Sequence, residues 1–169
     1  MTFPGSSSFA LPAALPKLGG LNFKPPHGTR AVLGNGLVVY LLKDSTLPVI
    51  HLTAYIRTGK VNDPADKIGI GDMTAGLLKD GGTLKYKPEE IDRTLEFLAA
   101  SVESSMGIEE GRADLTCLKK DLDAVLDIYA DVLMHPAFAP DKVKLRRDEL
   151  LEMIRRRNDD PGRAVVREA

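Results

Sequence analysis

From Arg30 onward the apolar positions alternate, and the alternation is broken by turn residues. Ala31-Val32-Leu33 and Leu37-Val38-Val39-Tyr40-Leu41-Leu42 flank Gly34-Asn35-Gly36. Asn-Gly tolerates positive φ at both central positions of a tight turn, so this stretch predicts a β-hairpin. Val49 to Thr58 alternates again and is rich in β-branched and aromatic residues, a third strand, with Pro48 at its start where a missing donor is tolerated. The period then becomes helical. Ile70, Met73 and Leu77 follow i, i+3, i+7 and predict a helix from about Ile68 to Asp80, closed by Gly81-Gly82. Pro88-Glu89-Glu90 opens a second helix, with proline in the first turn, carboxylates at the positive dipole end, and Ile91, Leu95 and Leu98 as its apolar face. Ser101 to Met106 and Arg112 to Leu118 read as strands around Gly107-Ile108-Glu109-Glu110-Gly111. Leu122, Val125, Leu126, Tyr129, Val132 and Leu133 mark a third helix that stops before His135-Pro136. Pro140-Asp141 starts a fourth, carrying Val143, Leu150, Leu151 and Ile154 inward and running to about Arg157.

The order is β-β-β-α-α-β-β-α-α. Hairpin-connected strands with helices grouped in pairs imply an α+β fold, an antiparallel-rich sheet packed against paired helices, and not a doubly wound one. Residues 1–28 hold five of the eleven prolines and four glycines, which oppose regular structure. They read as an extended strap or as a disordered terminus. Residues 29–169 then form the domain. After Pro161 another helical pattern starts and the chain ends inside it at Ala169, so the domain reads as truncated, a piece of something longer.

Composition removes several classes of function. With 23 Lys+Arg against 24 Asp+Glu the formal net charge is -1, which opposes a dedicated nucleic-acid or anionic-membrane binder. Hydrophobic content of 43% with 28% charged residues is that of a globular domain. The single cysteine, Cys117, excludes an internal disulfide or a cysteine-built zinc ribbon. No apolar run reaches membrane-spanning length. His27, His51 and His135 are too far apart for a local His-His metal motif.

Seven short pieces in one order carry more. They are Leu33-Gly34-Asn35-Gly36-Leu37, then Arg57-Thr58-Gly59 followed by Asn62-Asp63-Pro64, then Gly69-Ile70-Gly71 opening a helix and Gly82-Thr83 closing it. Downstream come Leu126-Asp127-Ile128-Tyr129-Ala130-Asp131-Val132-Leu133, His135-Pro136-Ala137-Phe138, and Asp159-Asp160-Pro161. Over residues 30 to 169 this arrangement resembles the N-terminal domain of the pitrilysin/insulinase family of zinc metallopeptidases, which includes the mitochondrial processing peptidase and the bc1 core subunits.

The resemblance implies an inverted zinc motif, H-x-x-E-H, on the helix after the third strand. Two imidazoles on one helical face bind zinc, and the glutamate between them is the general base. A further glutamate in the long last helix completes the ligands. In this sequence the ligand positions fall at Asp72, Gly76 and Met153, and the base position at Ala75. A one-residue insertion at Gly81-Gly82 shifts the distal position to Glu152. Asp72 and Glu152 offer oxygen atoms, but two carboxylates without imidazole make a poor zinc site, and alanine accepts no proton. The expectation is therefore no metal site, no catalytic residue and no cofactor of its own, zinc being the cofactor of active members. Ala75 and Gly76 are small enough for another backbone to approach the helix there.

The other signals have plainer readings. Gly69-Ile70-Gly71 with Gly76 has the wrong spacing for a dinucleotide fingerprint. Arg155-Arg156-Arg157 and Arg146-Arg147 read as a solvated helix face whose cations suit the dipole terminus. The histidines read as structural, Cys117 as a buried inert thiol, and Glu109-Glu110 as a turn tip. The strand Ser101-Val102-Glu103-Ser104-Ser105-Met106 corresponds to the family strand beside the active cleft, which accepts an extended peptide by strand addition; an ordinary edge strand is the alternative.

The resemblance thus implies a non-catalytic domain that pairs with a zinc-bearing homologue, or with its own missing second half, to form a peptide-holding chamber. The alternatives are a divergent metallopeptidase completed elsewhere, and a structural scaffold like the bc1 core subunits. No nucleic-acid partner and no membrane span are expected. A bacterial periplasm or envelope suits the proline-rich strap and lone cysteine, with the cytoplasm as the other possibility.

Overall fold

The computed structural model describes residues 27–156. Most of the 1–28 strap, Arg157, Asp159-Asp160-Pro161 and the helical pattern after Pro161 lie outside the described residues. The chain divides into two units at Ser45/Thr46.

In the first unit β1 (Thr29–Val32) and β2 (Val38–Leu41) pair antiparallel, with Val32 opposite Val38 and Thr29 opposite Leu41. Leu33 and Leu37 close a three-residue loop. The Leu33 carbonyl accepts from Gly36 N–H at 2.9 Å, and Leu33 N–H donates to the Leu37 carbonyl at 2.9 Å. Only Gly36 has positive φ, at 85°, so the turn is a type I turn with a left-handed glycine and not the two-residue turn that Asn35-Gly36 suggests. Asn35 uses its side-chain oxygen to accept from Leu37 N–H at 3.1 Å.

In the second unit β3 (Val49–Ile56), β4 (Ser101–Met106) and β5 (Gly111–Leu118) form an antiparallel sheet in the order β3-β5-β4. Central β5 shows the alternation most clearly. Gly111, Ala113, Leu115 and Cys117 are buried while Arg112, Asp114 and Thr116 point to the other, open face. The buried face carries α2 (Pro88–Phe97) and α3 (Leu122–Met134). Ile91 and Leu95 of α2 meet Val125, Ile128, Tyr129 and Val132 of α3 over Val102, Ala113, Leu115 and Cys117. Tyr129 keeps its hydroxyl in this core by donating to the Ala113 carbonyl at 3.0 Å. Alongside run α1 (Ile70–Asp80), packed on β4, and α4 (Pro140–Arg155), packed on α1.

The element order agrees with the sequence pattern; several faces do not. In α3 the buried stripe includes Ile128, while Leu126 is partly exposed. In α4 Leu151 and Ile154 are exposed and no residue is fully buried, against the inward face expected of them. Helix α1 starts at Ile70, two residues later than its periodicity suggests, because Gly69 takes a left-handed φ of 96°. Ile68 and Ile70 are both exposed.

Candidate functional site

Helix α1 is held in place by the residues before it. The Asp63 carboxylate accepts from Gly69 N–H at 2.7 Å and from Gly71 N–H at 3.0 Å, so it satisfies donors that the helix start leaves open. Asn62 holds the same segment by accepting from Gly59 N–H at 3.1 Å. Lys60 and Val61 donate to the Gly107 and Ile108 carbonyls, both at 3.0 Å, tying the turn before α1 to the β4–β5 turn. Only glycine fits at position 59, since a Cβ there lies 2.3 Å from the Ile108 carbonyl oxygen. On its inner side α1 meets β4 directly: Ser104 Oγ donates to the Ala75 carbonyl at 2.6 Å.

Of the motif positions on this helix, Asp72, Ala75 and Gly76, only Asp72 carries a metal-ligating group. Asp72 is ion-paired with Lys60 at 2.9 Å. Ala75 is buried. What lies against Gly76 is not another backbone but the guanidinium of Arg146: a Cβ on Gly76 lies 2.9 Å from Arg146 Nε and 3.1 Å from Nη2. Arg146 therefore leaves the solvated face that its neighbour Arg147 occupies. Its Nε is covered and has no hydrogen-bond partner, and Nη1 reaches Glu149 at 3.4 Å. On the distal helix Glu152 accepts from Arg156 Nε at 2.6 Å and pairs with Arg155 at 3.7 Å, while Met153 is exposed. Among the described residues no three His, Cys, Asp or Glu side chains gather to hold a metal. Residues 72, 75, 76, 152 and 153 do not fit zinc. They supply no imidazole, and a lysine and an arginine place positive charge where the ion's own charge needs negative ligands.

Among the described residues β4 pairs with a strand only through β5, so its other edge is open. Val102, Glu103 and Ser104 line a cleft of about 290 Å³ together with Ala75, Gly76, Lys79 and Asp80. Partial burial pulls the Lys79 pKa down. The hydrogen bond to Asp92, with the charges of Asp92 and Asp80, outweighs this, and the ammonium is held above its usual range. A second depression of about 430 Å³ lies on the opposite face of the sheet. Its polar groups are largely satisfied among themselves. Arg112 grips Asp114 with Nε and Nη2, each at 2.8 Å, Thr53 donates to Asp114 at 2.6 Å, and His51 Nδ1 lies 3.0 Å from Thr116 Oγ1. The cleft beside α1, with its open strand edge, is the better candidate.

The family model for "Insulinase (Peptidase family M16)" matches residues 38–169. This chain belongs to the insulinase family. Among solved structures, a protease from Helicobacter pylori matches with a TM-score of 0.70 and 24% identity over 80% of this chain and 32% of that one. A peptidase M16 inactive domain from Pseudomonas fluorescens matches with a TM-score of 0.76 and 20% identity, over 83% of this chain and 34% of that one. The likeness to both is one of fold, and this insulinase-family chain spans about a third of their length. A comparison with curated proteins gave no match. Among the described residues no helix is long and apolar enough to cross a membrane.

Three features of the site are not visible in the sequence: the Lys60–Asp72 pair, the Ser104–Ala75 bond and the Arg146–Gly76 contact. The last two join residues far apart in the chain, and no local spacing announces them. Asp63 is legible only as part of a turn, since Asp-Pro favours turn initiation and stands six residues before Gly69. The remaining candidates lie apart from the cleft. Burial, and then the charge of Asp121, pushes the Cys117 thiol up, and His135, just past the end of α3, bonds Asp131 of that helix at 3.0 Å.

Proposed function

We propose that this insulinase-family domain is non-catalytic and holds an extended peptide along the open edge of β4. It does so in a chamber formed with a zinc-bearing homologue or with a further half of its own polypeptide. One observation carries this: where the family's chemistry needs imidazole and a carboxylate base, the helix has Asp72 neutralised by Lys60, a buried alanine, and a glycine covered by a guanidinium. Such a helix has no imidazole to hold a zinc ion and no carboxylate at the base position to take a proton from its water. The Pseudomonas fluorescens neighbour, itself described as an inactive domain, supports the same view. Strand addition needs only backbone donors and acceptors, so it survives the loss of the catalytic groups.

The test is metal analysis of the purified chain after incubation with zinc, alongside cleavage of extended peptides with and without a chelator. The expected result is no stoichiometric zinc and no chelator-sensitive cleavage. Fluorescently labelled peptides still bind, more tightly when a zinc-bearing homologue is added. Stoichiometric zinc that disappears in Asp72→Asn or Glu152→Gln contradicts the proposal. Loss of peptide binding under every condition leaves the domain as a scaffold.

A further inference from the structure

Arg146 is a large cation in an unusual setting. It comes from α4, crosses to α1, and rests on a residue of α1 that has no side chain. Among the described residues one of its five N–H donors is committed, to Glu149 at the long distance of 3.4 Å, and Nε is covered without an acceptor. A guanidinium is a planar fork whose paired donors match the two oxygens of a carboxylate. Nε is covered and out of an anion's reach, but the side chain is 34% exposed, so its terminal nitrogens are the end that an incoming carboxylate can meet. Gly76 lies under this guanidinium and also lines the cleft beside β4. A peptide added along the edge at Val102–Ser104 therefore passes Gly76, the residue against which Arg146 rests.

We infer that Arg146 makes this cleft selective for a peptide bearing a carboxylate at the residue that passes Gly76, either an Asp or Glu side chain or a terminal carboxylate. The inference rests on the peptide-holding function proposed above and names its ligand class. The preference is local and bound to register. Asp80 and Glu103 also line the cleft, and of these Asp80 is offset by Lys79 at 3.6 Å, so the cleft as a whole does not attract acids. Only a carboxylate that passes beside Gly76, at the exposed end of the guanidinium, meets the fork.

The experiment moves a single Glu, or its Gln counterpart, through a neutral extended peptide and measures binding to the 169-residue chain. A second arm compares free and amidated C-termini. At one register Glu binds about tenfold more tightly than Gln, the scale of one hydrogen bond to a charged group. A preference only for the free C-terminus assigns the site to terminal carboxylates. Arg146→Gln abolishes the difference, and Arg146→Lys, which keeps the charge without the fork, reduces it. Gly76→Ala reduces it as well by pushing the guanidinium aside, and since alanine favours helix, this variant guards against misfolding as the cause. Peptides that bind with no Glu or carboxylate preference at any register overturn the inference while leaving the peptide-holding function standing, as does a preference that survives Arg146→Gln. If no peptide binds, the peptide-holding function fails, and acetate titration followed by the NMR signal of Arg146 Nε–H decides the anion site alone. A saturating shift upholds that site; no shift overturns it.

Discussion

Asp63 acts from six and eight residues away as the cap that α1 lacks at Gly69, accepting two backbone donors with one carboxylate. Replacing it with alanine leaves both donors without that partner. Asp63→Ala therefore lowers stability by about 1–2 kcal/mol, and Asp63→Asn, which keeps one acceptor oxygen, by less. Urea unfolding of the two variants checks the order. Ala99 is the opposite case. It follows α2 with φ at 48°, the left-handed region where a Cβ is crowded. Ala99→Gly is expected to raise the urea midpoint, by up to about 1 kcal/mol in stability; a lower midpoint shows that the alanine methyl contributes more through packing than it costs in strain.

At the scale of elements, the strand pattern is more legible in the sequence than the helix faces. A period of two leaves a strand only two faces, so Ala113, Leu115 and Cys117 are placed together once one of them is. A helix can rotate by one residue and still match an apolar pattern, which is why the pattern points Leu126 inward while the fold buries Ile128. The open face of the β3–β5 pair titrates predictably. The hydrogen bonds from Arg112 hold the Asp114 carboxyl below the usual aspartate range, with partial burial opposing and Thr53 assisting. A folded-state pKa below the unfolded value stabilises the protein at pH above the unfolded pKa, and this contribution is lost as pH falls through the folded value. Stability should therefore decline below about pH 4, the ordinary aspartate range. Asp114→Asn should make that part of the acid-unfolding curve shallower. An unchanged slope removes Asp114 as a contributor.

At the scale of the whole molecule, writing the family's H-x-x-E-H into this one helix is not expected to create a zinc site. Asp72→His, Ala75→Glu and Gly76→His together put a carboxylate where Ala75 is buried and an imidazole where Arg146 lies. The triple variant is expected to bind no stoichiometric zinc and to unfold at lower urea, since an unpaired buried charge costs roughly several kcal/mol. Metal analysis beside urea titration checks both parts, and stoichiometric zinc in a fully stable variant shows that Arg146 and the burial at Ala75 do not keep a metal out. The sequence by itself determined the order of elements, the family, and the absence of imidazole at the motif, because these depend on local periodicity, turn chemistry and residue identity. It could not determine what lies against the motif positions. That rests on Arg146 reaching Gly76 and on Ser104 reaching Ala75, contacts made only when α1, α4 and β4 pack together. Such contacts are chosen by the free volume and unpaired polar groups of the assembled fold, which no single stretch of chain contains.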